Sequence, residues 1–73
     1  MYNVNFTMTD NATGISLTMN RYCELPSWVM SRTSQLIKSH FARLDCYEHA
    51  RRFFGTDDVS VRLNYVDGIE YAY

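Results

Sequence analysis

Two cysteines and two histidines are the side chains in this sequence that could bind a metal ion. Cys46 and His49 have the i, i+3 spacing of neighbours on one helix face, whereas Cys23 and His40 lie at other intervals. These spacings do not match a paired-ligand zinc finger, and His40 falls on the opposite side of a continuous helix from Cys46. We therefore predict two reduced, buried thiols and two ordinary histidines, with no metal and no cofactor.

Patterns that would indicate catalysis are weak. A cysteine nucleophile needs a base beside a partly exposed thiol, and only the closeness of Cys46 to His49 in the sequence suggests one. The adjacent acids Asp57 and Asp58 fall at a predicted turn, where carboxylates are usually solvated or cap a backbone amide. The sequence has no glycine-rich phosphate loop and no nucleophile-elbow motif. We predict that the protein is not an enzyme.

Charge is unevenly distributed, although the net charge is only −1. Six bases and three acids lie between Arg21 and Arg52, and the rest of the chain has one base and five acids. A basic helical surface would favour phosphate contacts, so nucleic-acid binding is an alternative function. Against it, the predicted outer sheet face is neutral, whereas an RNA-binding sheet carries aromatic and basic side chains. That face consists of Asn3, Asn5, Thr7, Thr9, Ser16, Thr18, Asn20 and Asn64.

Alternating polar and apolar residues at both ends of the chain predict two β-hairpins. In the first, residues 3–9 pair with residues 14–20 across a four-residue loop, so that Thr9 lies opposite Gly14. In the second, a three-residue loop at positions 66–68 places Tyr65 opposite Ile69 and the glycine at a left-handed position.

The segment between the hairpins has helical periodicity. Pro26 suits a helix start and Gly55 a helix stop. A single helix over residues 27–54 would be about 42 Å long, too long for a domain about 30 Å across, so we predict two helices that break near residues 44–45. The apolar stripe expected to face the core comprises Val29, Leu36, Ile37, Phe41, Leu44, Tyr47, Ala50 and Phe54.

The predicted fold is a single α+β domain over residues 1–73, in the order ββααββ. It has two layers, a four-stranded antiparallel sheet with two helices packed on one face. The 73 residues, 47% of them hydrophobic, suffice for one core and exclude a disordered or fibrous chain. No apolar run approaches the roughly 18 residues that span a bilayer, and no signal peptide is evident, so we expect a cytoplasmic protein without membrane contact.

Protein binding is the function that these observations favour. We predict a small regulator or inhibitor that occludes a partner surface, of the kind that phages and mobile elements direct at host or defence complexes. Aromatic and arginine side chains anchor many interfaces. The neutral sheet surface also allows strand addition or a homodimer. The predicted partner-binding residues are Trp28, Arg32, Arg51, Arg52, Phe53 and Tyr73.

Overall fold

In the part of the chain that the structure describes, a four-stranded antiparallel sheet carries one helix on one face. The computed structural model describes residues 1–25 and 35–70 of the chain. Its elements are β1 (Tyr2–Asp10), β2 (Ser16–Cys23), α1 (Gln35–Phe54), β3 (Val59–Val66) and β4 (Ile69–Glu70). The strand order is β2-β1-β3-β4, and α1 packs mainly against β3. The α+β class and the antiparallel sheet are confirmed. Within the described ranges, no helix is long and apolar enough to cross a membrane.

The first hairpin has a longer loop than predicted. Thr9 pairs with Ser16 rather than Gly14, a shift of two residues that leaves every side chain on its expected face. Two backbone hydrogen bonds stabilise the loop. The Asp10 amide donates to the Ile15 carbonyl and the Gly14 amide donates to the Asp10 carbonyl, both at 2.8 Å. Cross-strand polar pairs on the outer face match in the observed register: Asn5–Asn20, Thr7–Thr18 and Thr9–Ser16.

The second hairpin turns through two residues, so the predicted three-residue loop is wrong. Val66 pairs with Ile69, and both turn residues, Asp67 and Gly68, have positive φ, as a tight hairpin turn requires. A β-bulge at Asn64 explains the difference, because the extra residue reverses the alternation of the strand. Strict alternation would have placed Tyr65 in the core, but after the bulge Val66 points into the core and Tyr65 points outward.

One helix, not two, lies in the described part of the chain. Residues 35–54 form α1 without a break at positions 44–45, and at 1.5 Å per residue it is only about 30 Å long. Asp45 does not cap a second helix, since its carboxylate binds side chains of β2 instead. Gly55 ends α1 as predicted, with φ of 68° and its amide bonded to the Arg51 carbonyl. The predicted start at Pro26 lies outside the described residues.

The core joins large side chains of the sheet to small side chains of α1. The first strand supplies four buried residues, as its alternation predicted: Tyr2, Val4, Phe6 and Met8. The helix buries only small residues, at the spacing of one helix face: Ser39, Ala42, Cys46 and Ala50. The predicted apolar stripe is therefore wrong for most of its large members within α1, because small residues let the helix backbone approach the sheet closely. Its first member, Val29, lies outside the described residues.

Candidate protein-binding surface

Large apolar side chains lie on the outer side of α1, away from the sheet. We call this group the helix surface; it comprises Leu36, Ile37, Leu44 and Tyr47. Their exposed fractions are 66%, 43%, 56% and 37% respectively. A helix in a globular protein normally turns such residues inward and leaves polar residues outside. In α1, by contrast, these large apolar residues face outward and small residues face the sheet.

The buried face of α1 explains this orientation. Ala42, Cys46 and Ala50 are fully buried at intervals of four residues, and Leu63 and Phe6 fill the space above the sheet. If the helix were rotated to bury Leu44, the close contact between α1 and the sheet would be lost. The apolar residues that remain outside run along about three turns of the helix. Such a ridge is suited to a hydrophobic groove on a partner protein.

A polar cluster of Arg51 and Asp57 lies beside Tyr47 at the C-terminal end of the helix surface. The Arg51 guanidinium lies 2.7 Å from the Asp57 carboxylate and 5.9 Å from the centroid of the Tyr47 ring. The Tyr47 hydroxyl donates to the Asp57 backbone carbonyl at 2.9 Å. Arg51, which the sequence predicted as a binding residue, is therefore held beside Tyr47 by the loop that follows α1.

The other predicted residues within the described ranges lie elsewhere on the last turn of α1. Arg52 is on a different side of the helix, where it pairs with Glu48 at 2.6 Å. Phe53 is 54% exposed, and its ring lies 6.4 Å from that of His49, on the flank nearer β2. Arg51, Arg52 and Phe53 thus point in three directions and do not form one patch. Three further predicted residues lie outside the described residues: Trp28, Arg32 and Tyr73.

Side-chain hydrogen bonds join β2 to the middle of α1. The Asp45 carboxylate accepts from the Arg21 guanidinium at 2.7 Å and from the Cys23 thiol at 3.3 Å. Partial burial alone would raise the pKa of Asp45, but these hydrogen bonds outweigh it and hold the pKa below its usual value. The Cys46 thiol is hydrogen-bonded to Cys23 and buried, and both effects raise its pKa. An inert, protonated thiol at this position fits a role in packing.

Tyr2 anchors the N-terminal strand to the helix. Its ring is 5% exposed, and its hydroxyl donates to the Lys38 backbone carbonyl at 2.8 Å. Burial, together with nearby thiol and carboxyl groups, raises the pKa of Tyr2 to about 12. The phenol is therefore a structural hydrogen-bond donor throughout the neutral range.

Much of the basic charge is neutralised within the domain. Among the described residues, four bases lie within ion-pair distance of a carboxylate: Arg21 with Asp45, Lys38 with Asp67, Arg51 with Asp57, and Arg52 with Glu48. The excess of bases in the middle of the sequence thus meets acids from the C-terminal part and from α1 itself. In the described part of the chain, no group of three or more His, Cys, Asp or Glu side chains is arranged to hold a metal ion.

Sequence reasoning did not identify the helix surface, since it assigned those residues to the core. The related signal in the sequence is a second stripe on α1, made of small residues at intervals of three and four, which indicates the buried face only once the sheet is known to supply the bulk of the core. No protein-family model matches the chain, and no curated protein or solved structure shows significant similarity to it.

Proposed function

We propose that this chain is a small non-catalytic protein-binding module that regulates or inhibits a partner by covering part of its surface. The observation that carries the proposal is the helix surface, on which Leu36 and Leu44 are more than half exposed. Exposed apolar patches of this kind on small domains mark interaction sites. The helix can dock as a rigid element, because its opposite face is fixed to the sheet.

The surface has the composition of an interface. Leucine side chains provide apolar area, and Tyr47 and Arg51 at its end are of the residue types that most often anchor protein complexes. Because Asp57 already neutralises Arg51, a partner need not supply a charge at this point. The other predicted residues within the described ranges, Arg52 and Phe53, contribute to binding only if the partner also reaches around the end of the helix.

The proposed class of partner rests on an analogy of size. A domain of 73 residues with a rigid apolar ridge and no catalytic motif is suited to blocking a surface rather than to chemistry. Small inhibitors encoded by phages and mobile elements offer an analogy in size and in lack of catalytic motifs. On that analogy, we propose a host or defence complex as the target.

Nucleic-acid binding by the basic residues of α1 is the alternative function. The ion pairs of Lys38, Arg51 and Arg52 count against it, because a phosphate would have to displace a carboxylate at each of them. The two functions differ in their salt dependence. Phosphate contacts weaken steeply as salt rises, whereas an apolar interface does not.

The proposal is tested by affinity capture from the cells that naturally produce the protein. Leu36→Lys/Leu44→Lys places two charges on the helix surface. The matched control is Ile69→Lys, since Ile69 and Leu44 are both 56% exposed. We expect the double variant to lose the captured protein and the control to retain it, with both variants folded by circular dichroism.

Equal capture by the wild type and the double variant would refute the helix surface as the binding site. Capture that disappears with nuclease treatment or with moderate salt would instead support the nucleic-acid alternative.

A further inference from the structure

The second strand forms an open edge of the sheet. One side of β2 pairs with β1, and within residues 1–25 and 35–70 no strand pairs with its other side. The Asp10 amide bonds to the Ile15 carbonyl, so odd-numbered residues of β2 direct their backbone groups toward β1. The backbone N–H and C=O groups of the even-numbered residues therefore point outward: Ser16, Thr18, Asn20 and Tyr22.

This edge lacks the features that usually prevent pairing between sheets. The pairing of β2 with β1 runs over eight residues without a bulge, and β2 contains neither proline nor lysine. Its one charged residue, Arg21, is held 2.7 Å from Asp45. Two copies of this edge can therefore approach each other without uncompensated like charges.

The helix-facing side of β2 is also incompletely covered. Leu17 is 38% exposed and Met19 is half-buried, because α1 packs mainly over β3. Ile15, in the adjoining loop, is 55% exposed. An added strand would bring further apolar side chains against this part of the sheet.

We propose that β2 pairs antiparallel with β2 of a second copy of this chain, about a two-fold axis through Met19. In this register Met19 faces Met19 of the second copy, Thr18 faces Asn20, and Leu17 lies along the stem of Arg21. Outward-pointing backbone groups meet each other, as an antiparallel ladder requires.

Several registers let the outward-pointing N–H and C=O groups of the two strands bond to each other. Among them, this one pairs seven residues of each strand, 16–22, and keeps an apolar residue on the axis. The alternative long register, centred on Asn20, pairs residues 17–23 but places a polar residue on the axis. A second copy is favoured over an unrelated strand because the edge is neutral and self-complementary, as a two-fold interface must be. The inference uses a different surface from the proposed function and does not depend on it.

Sedimentation velocity over a range of concentrations tests the dimer with a matched pair of variants. Thr18→Lys/Asn20→Lys places lysine opposite lysine at two positions across the axis. Thr18→Lys/Asn20→Glu instead places each lysine opposite a glutamate, and both variants lose the same hydrogen bonds to β1. We expect the wild type and the Lys/Glu variant to dimerise, and the Lys/Lys variant to dimerise at least about tenfold more weakly.

Disulfide trapping tests the register. Paired Cα atoms at a non-hydrogen-bonded position are about 4.5 Å apart, within disulfide range, so Met19→Cys should give a covalent dimer on mild oxidation. Leu17→Cys is the control, because the two introduced thiols would lie about 13 Å apart along the strands. Melting curves confirm that both variants fold.

Three results would overturn the proposal. The first is a wild type that stays monomeric at every concentration. The second is identical association of the Lys/Lys and Lys/Glu variants, and the third is crosslinking of Leu17→Cys instead of Met19→Cys. Open-ended polymers, or pairing of β2 only with a peptide from another protein, would also contradict a closed two-fold dimer.

Discussion

Truncating Leu44 should cost little stability, whereas the same change at Leu63 should cost much. Leu44 on α1 is 56% exposed and Leu63 on β3 is 1% exposed. Leu→Ala at a buried site costs about 2–5 kcal/mol through lost burial and the cavity that remains. With less than half of its surface buried, Leu44→Ala should lose no more than about 1 kcal/mol, partly offset by the higher helix propensity of alanine.

The assay is urea-induced unfolding followed by circular dichroism, with the wild type and both variants in the same buffer. A domain of this size is stable by only about 4–10 kcal/mol, so Leu63→Ala should bring it close to unfolding. A buffer containing sucrose keeps that variant measurable. The slope of the free energy of unfolding against urea should stay unchanged if both variants retain the native fold.

The converse substitution tests the small-residue face of α1. Ala42 is fully buried against the sheet, so Ala42→Leu should overpack this contact and destabilise the domain by about 1–3 kcal/mol. A Leu44→Ala loss equal to that of Leu63→Ala, together with a neutral Ala42→Leu, would refute the orientation of α1.

Three further predictions concern groups between the sheet and the helix. Tyr2→Phe should cost about 1 kcal/mol at neutral pH, because it removes the hydrogen bond to α1. Because the folded pKa of Tyr2 is about 12 and the usual value is 10.0, its contribution is fully present below pH 10 and lost between about pH 10 and 12. A pH titration followed by phenolate absorbance tests this prediction, and ionisation of every tyrosine near pH 10 would contradict it. Asp45→Asn should make the free energy of unfolding less dependent on pH in acid. The pKa of Asp45 is lowered in the folded state, so its ionised carboxylate stabilises the fold above about pH 4, and this stabilisation is lost below that pH. Arg21 and Asp45 are each more than a third exposed, so the stability difference should be under about 1 kcal/mol. If wild type and Asp45→Asn lose stability identically in acid, the prediction is contradicted. Cys23 and Cys46 are 3% and 0% exposed and should react with a thiol reagent only after unfolding; fast reaction in the native state would show that α1 does not cover them.

Local patterns predicted those parts of the fold in which each residue is constrained by its neighbours in sequence. The alternation of β1 identified its buried residues, and Gly55 marked the end of α1 because a left-handed residue was needed there. The bulge at Asn64 could not be read from the sequence. It is stabilised by hydrogen bonds to Asn5 and Thr7 on another strand.

The candidate site was missed for a related reason. Hydrophobicity weighted by size selects Leu36, Leu44 and Tyr47 as the core face of α1, and a helix considered alone gives no reason to prefer the stripe that contains Ala42 and Cys46. That preference arises only when the sheet supplies the bulk of the core and the helix must approach it closely. Which side of α1 remains outside is therefore decided by tertiary packing.

Leucine-methyl NMR with a soluble paramagnetic agent tests the central claim most directly, in the free protein and in complex with the captured partner. In the free protein we expect strong relaxation of the Leu36 and Leu44 methyl groups and almost none for Leu63, in line with their exposed fractions. On binding, Leu36 and Leu44 should become protected. If they remain accessible in the complex while other leucines become protected, the helix surface is not where this protein binds its partner.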